Sequence, residues 1–242
     1  MLSAPELSLR TPAVAGFENP LQAAQTLAHD VVTHLSAALR TRGQANLAVS
    51  GGRSPGLLFD ELARSRLDWA RVTVTLVDER WVDPTADDSN ERLVRDRLLT
   101  RHAAAATFVP LKTRADHPAE AQAERTRALH AVLSGADVVV LGMGEDGHVA
   151  SLFPRAAGLA AALDPLAAPA LVAIDPPVAP HPRLGLNLAA LLAARHVAVL
   201  VQGAQKAALL SDAARTARAG DPLPVDHLLA HREGPLRIYW SP

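Results

Sequence analysis

The chain lacks cysteine and has few aromatic residues. Without cysteine it has neither a disulfide framework nor a thiolate metal site. Aromatic residues make up 3% of the 242 residues, whereas apolar residues of all kinds make up 49%. The core must therefore be built mainly from alanine, leucine and valine, whose small side chains allow helices to pack closely on a sheet.

Excess charge and long apolar runs are also missing. The chain has 24 basic and 25 acidic residues and no basic run, which argues against a nucleic-acid partner. It has no run of eighteen apolar residues for a membrane helix, and its first twenty residues have neither the basic start nor the apolar run of a signal peptide. We expect a cytoplasmic protein whose partner is a small molecule, with no membrane attachment.

Apolar runs alternate with helical patterns along the chain. Unbroken apolar strands are typical of parallel sheets covered on both faces. We predict a single α/β domain over 1–242, with a doubly wound, mostly parallel, Rossmann-like sheet and helices on both faces. The proline-rich segment 164–183 is predicted as a loop around one short strand, which could cover a site. Predicted strands are 46–50, 72–77, 137–141, 171–174, one near 184, 197–202 and 236–240; predicted helices are 20–43, 55–63, 89–100, 118–133, one from about 188, and 203–214.

Ligands of open parallel sheets bind beyond the carboxyl ends of the strands, so the segments that follow the strands matter most. The first is Ser50-Gly51-Gly52-Arg53-Ser54, which leads from a strand into a helix. Paired glycines bring N–H groups close to an anion, which predicts a phosphate cradle. A tight turn with Ser54 as an ordinary N-cap is equally consistent with this segment alone.

The second segment, Asp78-Glu79-Arg80, follows the strand 72–77. Two carboxylates and a guanidinium could orient a sugar hydroxyl, tune a base or hold an oxyanion. Taken alone, this segment is better interpreted as a surface ion pair, with Ser89 or Asp88 capping the next helix.

The third segment contains Gly142, Gly144 and Gly147 in the spacing of a dinucleotide-binding motif. The context argues against that motif, because Pro154 stops any helix almost at once and no second strand ending in aspartate follows. The segment instead predicts a glycine-lined pocket that presents carboxylates and His148.

A histidine beside a carboxylate is suited to taking a proton from water. Glu145 and Asp146 immediately precede Gly147 and His148. We therefore predict that His148 is functional. The histidines lack the paired spacing of a zinc helix, so no metal and no cofactor are expected.

Together these segments resemble the 6-phosphogluconolactonases, within a wider group that includes glucosamine-6-phosphate deaminase. The resemblance runs from about residue 20 to Trp240. It is carried by Ser50-Gly51-Gly52-Arg53-Ser54-Pro55, by Asp78-Glu79-Arg80 with Ser89-Asn90, and by Leu141-Gly142-Met143-Gly144-Glu145-Asp146-Gly147-His148-Val149-Ala150-Ser151-Leu152-Phe153-Pro154.

The resemblance implies hydrolysis of a sugar-phosphate lactone by a monomer or homodimer. It implies His148 as the catalytic base, with assistance from Asp78 and Arg80, and either Asp146 or Asp78 as the carboxylate that orients the imidazole. The residues that it implies for substrate and phosphate binding are Ser50, Gly51, Gly52, Arg53, Ser54, Asn90, Gly144, Arg183 and Lys206.

The sequence departs from the family pattern at two positions, and two alternative functions stay open. Position 54 is serine where the family often has threonine, and Gly185 stands where a hydroxyl residue is common. A deaminase would need a glutamate soon after the histidine, whereas Ser151-Leu152-Phe153-Pro154 has none and Arg80 replaces an aromatic residue. A non-catalytic sugar-phosphate sensor on the same fold would need the phosphate cradle but not His148.

Overall fold

The computed structural model describes residues 13–52 and 54–242. The strands are β1 (Ala13–Gly16), β2 (Ala45–Val49), β3 (Val72–Leu76), β4 (Asp78–Arg80), β5 (Thr107–Val109), β6 (Val138–Gly142), β7 (Leu171–Ile174), β8 (Arg183–Leu186), β9 (His196–Gln202) and β10 (Leu236–Ser241). The helices are α1 (Pro20–Arg42), α2 (Gly56–Arg64), α3 (Asn90–Leu93), α4 (Pro118–Ala128), α5 (His130–Leu133), α6 (Leu159–Ala162), α7 (Leu188–Ala193), α8 (Ala204–Leu209), α9 (Asp212–Ala217) and α10 (Pro224–His231).

Within the described part of the chain, seven parallel strands form the central sheet, in the order β1-β10-β9-β6-β2-β3-β5. Its middle strands β2, β6 and β9 are almost entirely buried and consist mainly of alanine, valine and leucine. Helix α1 packs with α2 and against the sheet, whereas α7 packs with α5 and α10. The predicted single-domain α/β fold with a mostly parallel sheet is confirmed. Within the described residues, no helix has the length and apolar character needed to cross a bilayer.

A second, antiparallel sheet has the order β4-β8-β7. The predicted strands at 171–174 and near 184 are confirmed as strands, but they lie in this small sheet and not in the parallel one. Strand β4 was not predicted, because its sequence Asp-Glu-Arg has no apolar residue. The pairing of β4 with β8 brings two distant parts of the chain together beside the carboxyl edge of the central sheet.

Helix α1 begins and ends as its sequence predicts. The side chain of Asn19 accepts a hydrogen bond from the backbone N–H of Gln22, and Gly43 ends the helix at φ 76°.

Three predicted helices are shorter than expected. The segment 89–100 contains α3 followed by a π-helical turn, Val94–Leu98. The segment 118–133 divides at Leu129, and 203–214 divides where Ser211 caps a new helix by accepting from the N–H of Ala214. Strands β1 and β5 and helices α6 and α10 were not predicted.

Candidate active site

The loops that follow β2, β3, β6 and β9 surround a pocket of ≈ 320 Å³ at the carboxyl edge of the central sheet. The second sheet and α8 complete its wall. The predicted site residues in this wall are Ser50, Gly51, Gly52, Ser54, Asp78, Arg80, Asn90, Gly144, His148, Arg183 and Lys206. Arg53 lies outside the described residues. The wall also contains residues that were not predicted as site residues, namely Gly142, Met143, Ala150, Ser151, Phe153 and Ala179.

His148 forms a pair with Asp146 beside the pocket. The distance from His148 Nδ1 to Asp146 Oδ1 is 2.6 Å, and the same oxygen accepts from the backbone N–H of His148 at 3.2 Å. Partial burial would raise the pKa of Asp146, but hydrogen bonding and charge from His148 outweigh burial and lower this pKa below its usual value. The pair needs Gly144, because a Cβ atom there would lie 2.2 Å from His148 Nδ1.

Asp78, the other candidate carboxylate for orienting His148, has a different partner. Its Oδ2 atom accepts a short hydrogen bond from the hydroxyl group of Ser151. Ala150 and Ser151 both have left-handed backbone conformations, with φ 49° and 62°, which are strained for residues other than glycine. Sequence reasoning missed Ser151, because its conformation depends on contacts that no local pattern specifies.

Glu79 is buried and is not part of a surface ion pair. Its carboxylate accepts from the backbone N–H groups of Arg80, Asn90 and Glu91, at 2.8, 2.8 and 2.7 Å. Burial raises the pKa of Glu79 to about 6, although these hydrogen bonds oppose the shift. The predicted cap is confirmed for Ser89, which accepts from the N–H of Arg92 at the start of α3.

The buried carboxylate of Glu79 thus fixes Asn90 in the pocket wall. The side-chain N–H of Asn90 donates to the carbonyl oxygen of Asp78 at 2.8 Å. Asn90 also lies against Gly51, where a Cβ atom would stand 1.9 Å from Asn90 Oδ1. Only glycine fits this approach.

The glycine loop after β2 contains Gly52 at φ 93°. The hydroxyl group of Ser50 accepts from the N–H of Gly142 at 3.0 Å, which ties the end of β2 to the end of β6. Helix α2 begins at Gly56 with Pro55 as its N-cap, so Ser54 is not the cap. The serine lies in the pocket wall instead.

Among the described residues, three cationic side chains line the pocket: Arg80, Arg183 and Lys206. Arg183 is 6% exposed, and burial together with the charge of Arg80 lowers its pKa. The ring of Phe153 lies 4.2 Å from the His148 ring and 5.9 Å from the Arg183 guanidinium carbon, measured to ring centroids. Phe153 therefore lies close to both the histidine and the buried cation.

Gly185 is one of the two positions at which we noted a departure from the resemblance. A Cβ atom there would lie 2.5 Å from the carbonyl oxygen of Ala150. The close approach of β8 to the loop after His148 therefore requires glycine.

The segment after β6 does not continue as a dinucleotide-binding helix. Val149 and Leu152 instead form an isolated antiparallel bridge. Among the described residues, no cluster of three or more histidines and carboxylates stands where it could hold a metal ion. A polar pocket with a histidine–carboxylate pair and several cations, at this edge of a parallel sheet, is typical of α/β enzymes that act on small anionic molecules.

Comparisons with known proteins refine this class. The family model described as glucosamine-6-phosphate isomerases/6-phosphogluconolactonase matches residues 18–240. A 6-phosphogluconolactonase of Rhizobium meliloti is 45% identical over 93% of this chain and 97% of its own length, and one of Pseudomonas putida is 44% identical over 90% and 88%. A crystal structure of a 6-phosphogluconolactonase from Shewanella baltica has a TM-score of 0.89 at 38% identity, covering 97% of this chain and 99% of that one. The chain belongs to the glucosamine-6-phosphate isomerase/6-phosphogluconolactonase family, and it is an enzyme.

Proposed function

We propose that the chain hydrolyses 6-phosphogluconolactone to 6-phosphogluconate, with His148 as the general base. The observation that carries this proposal is the contact of 2.6 Å between His148 Nδ1 and Asp146 Oδ1 beside a cation-lined pocket. Relatives named 6-phosphogluconolactonase, at 45% and 44% identity, support the choice of substrate. The cytoplasmic location and the oligomeric state stay predictions.

The substrate's phosphate group would be held by the N–H groups of the Ser50–Ser54 loop and by Arg183 and Lys206. A phosphate dianion needs such charge-assisted hydrogen bonds in addition to backbone N–H groups. Arg53 is also assigned to phosphate binding, and this assignment rests on the family resemblance alone. Holding the phosphate places the lactone carbonyl beside His148, so binding energy fixes the orientation of the reacting groups.

In the first chemical step, His148 takes a proton from water. Because Asp146 accepts from Nδ1–H, the neutral imidazole carries its free electron pair on Nε2. As Nε2 takes the proton, the water oxygen forms a bond to the carbonyl carbon of the lactone. Arg80 or backbone N–H groups of the glycine loop stabilise the negative oxygen of the tetrahedral intermediate.

In the second step, the bond between the carbonyl carbon and the ring oxygen breaks. His148 returns its proton to that ring oxygen, which becomes a hydroxyl group, so the imidazole ends the cycle neutral. The new carboxylic acid then loses a proton to solvent. Neither step requires a redox cofactor or a metal ion, since a lactone is an activated ester.

The test is acid release from freshly prepared 6-phosphogluconolactone, measured against the spontaneous background. The enzyme should be dialysed against a chelator and assayed without nicotinamide, and we expect clear acceleration. The unphosphorylated lactone should react far more slowly, because it lacks the phosphate group that Arg183 and Lys206 would hold. Absence of acceleration would refute the proposal.

The deaminase alternative predicts release of ammonia from glucosamine 6-phosphate, and the sensor alternative predicts binding without turnover. No contact among the described residues favours either one. The same preparation can be tested for all three outcomes, so the alternatives are distinguished directly.

A further inference from the structure

The two arginines that the structure describes in the pocket wall, Arg80 and Arg183, are held by a closed ring of contacts. Arg80 and Arg183 are register partners on β4 and β8. Arg80 Nη1 donates to the carbonyl oxygen of Asp88 at 2.8 Å, and Arg183 Nη1 donates to the carbonyl oxygen of His181 at 3.1 Å. The side chains of these two acceptor residues meet, with His181 Nε2 at 3.2 Å from Asp88 Oδ2.

Two neighbouring guanidinium groups repel each other, and Arg183 is buried. Without a restraint, they would separate until an anion arrived, and the substrate would then have to bring them together. A contact that fixes both arginines beforehand lowers this cost of binding. The carbonyl oxygens of Asp88 and His181 can hold the two arginines in place only while the chain segments that carry these oxygens stay together.

The backbone of His181 is itself strained. Its φ of 70° is left-handed, in a segment bounded by Pro180 and Pro182. Such a conformation persists only where surrounding contacts hold it. The ring contact with Asp88 is one of these contacts, and it joins the proline-rich segment to the loop before α3.

We propose that Asp88 and His181 are positioning residues, whose mutual contact aims Arg80 and Arg183 at the anionic groups of the substrate. This inference rests on the proposed function, because it takes both arginines as substrate-binding groups. Neither Asp88 nor His181 belongs to the pocket wall. Each acts through the arginine that its carbonyl oxygen holds.

If the negative charge of Asp88 were all that mattered, replacing Asp88 would change substrate binding in the opposite direction from the one that the positioning role predicts. The carboxylate of Asp88 lies near the two cations and opposes the binding of an anion. If Asp88 acted through its charge alone, Asp88→Asn would strengthen binding of the phosphorylated substrate. If Asp88 acts by positioning, the same substitution weakens binding.

The experiment measures kcat/KM for the phosphorylated and the unphosphorylated lactone in Asp88→Asn, His181→Asn and the double variant. Asparagine tolerates a left-handed backbone, so His181→Asn removes the contact without adding strain. An exposed pair of this kind supports an effect of about two- to fivefold. We expect each single variant to lose about that much selectivity for the phosphorylated lactone, through a higher KM, and the double variant to lose no more than either.

Asp87→Asn is the matched control. Asp87 lies in the same loop and carries the same charge, but it pairs with Arg92. It should keep wild-type selectivity, and thermal unfolding should show that all variants are folded. The inference is overturned by unchanged selectivity in the two single variants, by increased selectivity in Asp88→Asn, by additive losses in the double variant, or by equal losses on both lactones. A wild-type enzyme that fails to accelerate lactone hydrolysis refutes the proposed function itself, and the inference falls with it.

Discussion

The amino edge of the central sheet also holds a cavity, of ≈ 430 Å³, whereas the candidate active site at the carboxyl edge measures ≈ 320 Å³. Both have histidine, aspartate and arginine in their walls. At the amino edge, the carboxylate of Asp30 accepts from Arg237 at 3.0 Å and from the hydroxyl group of Tyr239. The rings of His34 and His196 stack there, with centroids 3.5 Å apart.

The arginine at the amino edge is thus paired with a carboxylate, whereas the arginines described at the carboxyl edge are not. In the part of the chain that the structure describes, the hydrogen bonds of Arg80 and Arg183 go to carbonyl and amide oxygens and not to carboxylates. Their charge remains available to an anion. The partners of the charged groups distinguish the two edges better than cavity size or residue type does.

The largest expected effect comes from replacing one histidine at each edge. His148→Asn should lower kcat by about 10²–10⁴, the usual contribution of a positioned acid or base. His196→Asn, the matched control, should leave kcat within about twofold, because His196 faces the other cavity. The measurement is kcat at saturating lactone, with circular dichroism as the test of folding. If His148→Asn keeps near-native kcat, His148 is structural and the base must be sought at Asp78 or Asp146.

Replacing a cation at the carboxyl edge should raise KM, whereas replacing a cation at the amino edge should not. Lys206→Ala should raise KM for the phosphorylated lactone about ten- to a hundredfold, since one charge-assisted hydrogen bond contributes about 1.5–3 kcal/mol. Arg237→Ala should leave KM unchanged, because its partner is Asp30. Steady-state kinetics on both lactones measure this difference, and equal changes in KM would contradict the assignment of the phosphate to the carboxyl edge.

The buried carboxyl group of Glu79 should make stability fall as pH rises. Its pKa is raised from 4.5 to about 6 in the folded protein, so the folded state binds more protons than the unfolded state between these values. This group therefore destabilises the fold by about 2 kcal/mol above pH 6 relative to pH 4.5. Urea unfolding of the wild type and Glu79→Gln across this window measures the difference. Identical pH slopes would show that Glu79 does not titrate in this range.

At the amino edge, His196 should change the pH dependence of stability less than Glu79 does, and in the opposite direction. Burial and the neighbouring charge of His34 lower its pKa below 6.5, so the unfolded state binds the proton more readily. Stability should fall as pH drops below 6.5, and His196→Asn should reduce this loss. Thermal unfolding of the wild type and of His196→Asn between about pH 7.5 and about pH 5 tests this prediction. An unchanged acid response in the variant would assign the effect to other histidines.

Much of the fold could be predicted from apolar patterns. Strands β2, β6 and β9 are recognisable because buried parallel strands are apolar on most successive residues. Strand β3 is recognisable by its β-branched residues, and β10 by its isoleucine and aromatic residues. Strands β1 and β5 lie at the two edges of the sheet, are short and are partly exposed, so their sequences carry no comparable signal. The segments 171–174 and near 184 were recognisable as strands, but their antiparallel partner β4 was not.

The candidate site was predictable wherever glycine and charge mark a strand end. The motifs around Gly51, Arg80 and His148 identify the loops that meet in the pocket. Sequence could not choose between Asp146 and Asp78, because both were compatible with the spacing. The contact of Ser151 with Asp78 was missed, since it depends on a left-handed backbone that tertiary packing imposes.

The place of β1 in the sheet has a consequence for how the chain is made. Strand β1 pairs with β10, and β10 alone connects it to β9. During synthesis on the ribosome, β1 emerges before the other described strands, and among these its pairing partner is β10. A nascent chain therefore carries β1 unpaired until residues 236–241 have been made, which exposes this strand to wrong pairing and aggregation.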